Sequence, residues 1–297
     1  MAERETVGFI GLGLMGRPMA LNLRKAGFPL VVHSRSQAPV DSLAAAGAQV
    51  AVSPAAVARE ATVVITMLPD SPDVERVLAG PDGVFQGLRP GSVVVDMSSI
   101  SPVATRRLSA QAAEHGAVML DAPVSGGEIG AVQGTLSIMV GGEAGALERV
   151  RPILNAMGNP DRVVHIGASG AGQVCKVCNQ MAIGGALAAV SELMALAMKA
   201  GVDAVKVREA LLGGFAASRV LEVHGERILK RNYTPGFRAG LYHKDMGIML
   251  ETARAYDVPV PVSGTVAQLV AALVAGGRAD IDYSGLATVL FDLAGLE

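Results

Sequence analysis

Gly11-Leu12-Gly13-Leu14-Met15-Gly16 follows the apolar run Val7-Gly8-Phe9-Ile10 at once and opens an amphipathic stretch. A glycine-rich turn between a buried strand and a helix suits the pyrophosphate of a dinucleotide. Gly11 permits the tight turn, Gly13 lets the backbone approach the phosphates, and Gly16 allows helix and strand to pack closely. The helix points its first N–H groups, and the positive end of its dipole, at the ligand. With Leu12, Leu14 and Met15 completing the cofactor-binding turn, the pattern predicts a nicotinamide-dependent enzyme.

The first half of the chain keeps this alternation. Candidate strands are Val7–Ile10, Leu30–His33, Val63–Met67, Val93–Met97, Val118–Asp121, Ser137–Val140 and Val163–Ile166. Candidate helices between them are Met15–Ala26, Gln37–Ala46, Ala55–Arg59, Val74–Leu78, Pro102–Glu114 and Ala144–Met157. Such alternation predicts an α/β domain with a doubly wound parallel sheet, in which ligands bind beyond the carboxyl ends of the strands. Gly167-Ala-Ser-Gly-Ala-Gly172 then reads as a flexible break before a long helix from about Gln173 to Ala200. Helical patterns follow at Val205–Leu212, Ser218–Lys230, Lys244–Tyr256, Ser263–Gly276 and Tyr283–Leu293. The expectation is a Rossmann domain over 1–168 and an all-helical domain over 169–297, joined by the long interdomain helix.

Composition narrows the function classes. Hydrophobic residues make up 51% of the chain and charged residues 18%, which excludes a disordered polymer. A net charge of −2 without a Lys/Arg run offers no footprint for nucleic acid or a membrane surface. Met181 to Ala200 is apolar but carries Ser191, Glu192 and Lys199, and so reads as a buried helix rather than a membrane span. Residues 1–5 are polar and the first strand follows at once, so no signal peptide is expected and the cytoplasm is the default. Cys175 and Cys178 read as two small core residues on a helix, and the His residues (33, 115, 165, 224, 243) show no metal-ligand spacing. No metal is expected.

About twenty residues beyond the glycines, where an NAD enzyme usually carries an acid for the ribose 2′-OH, this chain has Ser34-Arg35-Ser36. A guanidinium and two hydroxyls suit a 2′-phosphate, which favours NADP, with NAD as the alternative.

Two segments carry the candidate chemistry. Asp121-Ala-Pro-Val-Ser125-Gly126-Gly127 follows a strand, and its small residues expose N–H groups that can form an anion nest for a carboxylate. Read alone, it is equally a plain glycine turn. Lys176 lies near the start of the long helix among apolar Val174, Cys175, Val177 and Cys178, where partial desolvation would suit it to proton transfer. Read alone, it is more simply a solvated helix lysine.

Taken together, the motifs resemble the β-hydroxyacid dehydrogenase family over nearly the whole chain. Gly8 to Ala20 looks like its dinucleotide loop. Asp121 to Gly127, continuing to Ala131 and Gly134-Thr135-Leu136, looks like its substrate loop. Gly167 to Gly172 with Lys176 and Asn179 looks like its catalytic motif, and Lys244-Asp245-Met246 like its late Lys-Asp-Leu motif. The resemblance implies Lys176 as acid/base, with Ser125, Gly126 and Gly127 holding the substrate carboxylate. It implies that Leu68, Pro69 and Ser99 line the cofactor, that Lys244 reaches the cofactor, and that Phe237 and Asp245 close the pocket. Many members have Asn four residues after the lysine. Here Gln180 stands there, preceded by Asn179, which leaves open which amide meets the substrate.

Within the family the likeness is nearest to tartronate semialdehyde reductases, on Ser125-Gly-Gly-Glu128, Gly134 to Gly142, Lys176 to Gln180 and Pro235 to Arg238. The implied reaction is reversible reduction of a short semialdehyde acid to a hydroxy acid by a homodimer or homotetramer. Enzymes of 3-hydroxyisobutyrate and of glyoxylate or succinic semialdehyde share these motifs. A non-catalytic NADP-binding module is the reading from another class.

Overall fold

The computed structural model describes residues 4–296, so Met1, Ala2 and Glu3 of the polar start lie outside the described residues. The chain forms two compact units, the first closing at Lys176 and the second opening at Val177.

The first unit is built on a nine-stranded sheet: β1 Val7–Ile10, β2 Leu30–His33, β3 Gln49–Val50, β4 Val63–Thr66, β5 Val93–Asp96, β6 Val118–Asp121, β7 Val124–Ser125, β8 Leu136–Gly141 and β9 Gly158–Gly167. Its helices are α1 Gly16–Lys25, α2 Gln37–Ala45, α3 Pro54–Glu60, α4 Ser71–Ala79, α5 Pro102–Glu114, α6 Gly127–Gln133 and α7 Ala144–Asn155. Helix α8, Ala171–Lys199, begins in this unit and continues into the second.

Six strands run parallel in the order β3-β2-β1-β4-β5-β6. The central members β1, β4 and β5 are buried at every residue, which is why they open on consecutive apolar residues rather than alternating ones, with β4 and β5 ending on the buried polar Thr66 and Asp96. Three helices start at readable signals. Ser53, Asp70 and Ser101 accept backbone N–H groups at the starts of α3, α4 and α5, each with proline in the first turn.

The sheet departs from the expected all-parallel arrangement at its far edge, where β8 runs antiparallel to β6 and β7. The connection from β7 to β8 holds only the short α6, too little chain for a parallel crossover. β9 then returns parallel to β8 through α7.

The second unit contains the rest of α8 with α9 Ala204–Leu212, α10 Arg219–Leu229, α11 Ala239–Ala255, α12 Pro261–Ala275 and α13 Leu286–Ala294. Among the described residues its one strand-like pairing is an isolated bridge between Arg238 and Asp282. Helix α8 is long and apolar enough to cross a bilayer by composition. Leu187, Val190 and Met194 are nonetheless buried in the core of this unit, with Tyr242 and Met246 of α11 and Val270 of α12. Cys175 is half-buried, but Cys178 is exposed, because α8 turns it away from that core. The expectation of two core cysteines therefore holds for neither in full.

Candidate active site

The dinucleotide loop shows in its spacing what each glycine is for. A Cβ on Gly16 would lie 1.9 Å from the carbonyl oxygen of Gly11, and one on Gly11 would lie 2.3 Å from that of Met67. A Cβ on Gly13 would meet nothing within 4 Å. Two glycines thus close the turn against β4, while the third leaves open space over its backbone. That is the cradle a pyrophosphate requires. Helix α1 starts with no side-chain cap and no acid in its first turn, so no carboxylate of that turn competes with a phosphate. Leu12 is buried, whereas Leu14 is 59% exposed and Met15 half-buried.

The ends of β2, β4 and β5 converge beside this loop. Leu12 N–H donates to Ser34 Oγ at 3.4 Å. The Leu68 side chain lies against Gly11, and Leu68 N–H donates to Ser98 Oγ at 2.9 Å. Pro69 and Ser99 are the next residues of those same two loops. Arg35 and Ser36 are exposed, with the Arg35 guanidinium 3.8 Å from Asp73 of α4.

Two buried carboxylates, which the motif reading left without a role, stand side by side in register at the ends of β5 and β6. Asp96 Oδ1 accepts Thr66 Oγ–H at 2.8 Å and Ser98 N–H at 3.2 Å, while its Oδ2 has no hydrogen-bond partner among the described residues. Burial pushes the Asp96 carboxyl up from 3.8 to about 6. The bonds from Ser98 and Thr66 oppose the shift, and the charge of Asp121 adds to it. Burial also raises Asp121, against the N–H groups of Gly170 and Gln173 that it accepts at 2.7 and 2.9 Å.

These last bonds seat the start of α8. Gly172 packs so closely on the sheet that a Cβ there would lie 2.3 Å from Met139 O. The Gly167–Gly172 stretch is therefore a site of close packing rather than a flexible break, and α8 already begins at Ala171. Lys176, half-buried, lies on the second turn. From this same end of β6 the chain runs through Ser125, in β7, to Gly126 and Gly127 with φ +137° and +63°. Glycine tolerates that backbone, and it is what a nest of successive N–H groups needs.

In the second unit the other predicted residues form one polar chain. Asn179 Nδ2 donates to Gln180 Oε1 at 2.7 Å, and Gln180 Nε2 donates to buried Asp245 at 2.6 Å. Lys244 Nζ lies 3.1 Å from the other oxygen of Asp245. Tyr242 O–H donates to the Gln180 carbonyl at 2.9 Å. Phe237 is half-buried and packs edge-on against Tyr242 and Tyr283, at 6.3 and 5.7 Å between ring centroids. Its backbone N–H and that of Gly236 donate to Asp282, which is 1% exposed. Sequence reading missed Asp282, whose partners lie far off along the chain.

Comparison with known proteins decides the family. Residues 6–167 match the family described as the NAD binding domain of 6-phosphogluconate dehydrogenase. Residues 170–290 match that described as the NAD-binding of NADP-dependent 3-hydroxyisobutyrate dehydrogenase. The chain is 46% identical, over 96% of each chain, to 2-hydroxy-3-oxopropionate reductase of Escherichia coli. The chain belongs to the β-hydroxyacid dehydrogenase family. It is also 41% identical to an NAD-dependent L-serine dehydrogenase of Pseudomonas aeruginosa, over 96% of this chain and 97% of that one. The solved 3-hydroxyisobutyrate dehydrogenase of Mycobacterium tuberculosis, in a structure with L-serine, superposes with a TM-score of 0.89 at 34% identity, covering 97% of this chain and 99% of that one. The chain is thus an NAD(P)-dependent oxidoreductase with the Rossmann and helical domains of that family.

Two outcomes follow from this geometry. Gly13→Ala should keep the melting temperature within a few degrees yet weaken nucleotide binding about tenfold or more. Gly16→Ala should lower the melting temperature as well, because its Cβ meets backbone; calorimetry with nucleotide titration checks both. Asp96 binds a proton more readily folded than unfolded, so its stabilising contribution is complete below about pH 4 and is lost as pH rises through about 6. Asp96→Asn should therefore flatten the fall in stability between pH 4 and 7, gaining on the order of 2–3 kcal/mol at pH 7 relative to pH 4. Urea midpoints across that range measure it.

Proposed function

We propose that this chain reversibly reduces 2-hydroxy-3-oxopropionate (tartronate semialdehyde) to glycerate, with NADP preferred over NAD. The observation that carries the reading is the junction at Asp121, where one buried residue joins the start of the Ser125–Gly127 loop to the helix end bearing Lys176. The E. coli reductase relative supports the choice of substrate.

In the proposed reaction, Ser125 Oγ and the N–H groups of Gly126 and Gly127 hold the substrate carboxylate and so orient its carbonyl. Bound nicotinamide supplies the hydride. Lys176, as ammonium, donates a proton to the carbonyl oxygen in reduction, and as the neutral amine takes it back in oxidation. Gly11 to Gly16 hold the pyrophosphate, and Leu68, Pro69 and Ser99 line the same cofactor. Ser34, Arg35 and Ser36 take the 2′-phosphate. The exposed Arg35–Asp73 pair, at 3.8 Å, is too weak to compete with that phosphate.

In the helical unit, Asn179, Gln180, Phe237 and Asp245 are assigned to the substrate and Lys244 to the cofactor. Their support is the family resemblance and, for all but Phe237, the bonded chain they form. A cytoplasmic homodimer or homotetramer completes the proposal.

Oxidation of NADPH and of NADH should be followed against tartronate semialdehyde, glyoxylate, succinic semialdehyde and methylmalonate semialdehyde, with L-serine and 3-hydroxyisobutyrate in the reverse direction. The expected result is preference for tartronate semialdehyde and NADPH. In the same assay Lys176→Ala should lower kcat by about 10²–10⁴ with nucleotide affinity nearly unchanged. Equal loss of both would count against the acid/base role, and nucleotide binding without turnover on any substrate would favour the binding module.

A further inference from the structure

We infer that Asp121 and Gln173 are positioning residues for Lys176, a role that rests on the acid/base reading of that lysine. Asp121 is fully buried, and its two oxygens divide the work: Oδ1 accepts Gly170 N–H at 2.7 Å and Oδ2 accepts Gln173 N–H at 2.9 Å. One carboxylate at the end of β6 thus holds both sides of the first turn of α8. A side-chain oxygen that accepts N–H groups at a helix start satisfies donors the helix itself cannot. The carboxylate cannot swing away. A Cβ on Gly141 would fall 2.6 Å from Oδ1, and one on Gly172 would fall 2.8 Å from Oδ2, so the walls stand at contact distance.

Gln173 makes the second tie. It is 1% exposed and uses both ends of its amide, Nε2 donating to Ser98 O at 2.8 Å and Oε1 accepting Ile100 N–H at 3.2 Å. It therefore joins the first turn of α8 to the loop after β5 that contains Ser99. Lys176 follows three residues later, on the neighbouring turn of the same side of the helix. A lysine has a long flexible stem, so where its ammonium reaches depends on how firmly its Cα is held. Proton transfer needs the donor within hydrogen-bond reach of the acceptor. The side chains of Asp121 and Gln173 need touch neither substrate nor cofactor to control this.

The test uses the full chain with Asp121→Asn and Gln173→Met. Asparagine turns one of the two acceptors into a donor facing an N–H group, and methionine removes both side-chain bonds at similar length. Both variants should lose about tenfold or more in kcat, with KM and nucleotide Kd within roughly threefold. In the nucleotide-free protein, amide exchange over residues 170–176 should speed up about tenfold or more. If kcat stays within about twofold of wild type in both, the inference is wrong. If nucleotide affinity falls in parallel with kcat, the pair serves the cofactor loop instead, and the inference is again wrong. Should Asp121→Asn fail to fold, Gln173→Met decides alone. Turnover surviving in Lys176→Ala would overturn the acid/base reading separately, since the exchange measurement does not depend on it.

Discussion

A carboxylate taken out of water must find hydrogen-bond donors or lose its charge, and Asp121 finds them in the first turn of α8. That requirement organises the edge of the sheet. It fixes where α8 begins and demands glycine at 141 and 172, where side chains would strike Asp121 or the strand beside it. It also places the start of the 122–127 loop a few ångströms from the helix end that bears Lys176. Asp96, next to it in register, lies in the same desolvated layer and holds the turn at Ser98 through its own Oδ1. The loop, the helix start and the turn at Ser98 are thus fastened by the groups that are costliest to bury.

Much of this was legible in the chain. Strands β1, β2 and β6 and helix α5 have the bounds that their apolar runs and the Ser101-Pro102 start suggest. The glycine trio implied its turn because its requirements are local: a tight bend, an open backbone and a close contact all lie within six residues. What escaped was non-local or too short. β3 and β7 are two residues each and present no periodicity. α6 carries glycine at 127 and 130, which helix propensity argues against. The direction of β8 depends on how little chain precedes it. Gln173 offered no signal, since its partners lie more than seventy residues away and a lone glutamine in a helix reads as solvated.

The two amides that follow the lysine are bonded differently within the second unit. Gln180 has both ends of its amide engaged, accepting from Asn179 and donating to Asp245. Its backbone carbonyl is held by Tyr242, whose hydroxyl burial keeps protonated. An asparagine at 180 would fall one methylene short of Asp245 and break the chain at its middle. The longer residue therefore organises the cluster, with half-buried Asn179 donating to it. Lys244 completes the series by neutralising Asp245, so a carboxylate that is 5% exposed keeps a cation beside it.

Choice between the two nicotinamide dinucleotides is separable from all of this. On the proposed reading the pyrophosphate meets backbone N–H groups and the end of α1, which treat both cofactors alike. Discrimination is left to the few side chains at the end of β2. There, among the described residues, the carboxylate paired with Arg35 is Asp73, 3.8 Å away, and the guanidinium is exposed. An exposed pair at that distance is worth little against a doubly charged phosphate, which can engage the guanidinium fork with two oxygens. Ser34 is tied to Leu12 N–H, so it sits at a fixed place beside the glycine turn whichever ligand is bound. On the proposed reading, then, the preference for NADP lives in Ser34, Arg35 and Ser36, a short segment on a rigid frame. It can change without disturbing the buried carboxylates on which the helix, the loop and the lysine depend.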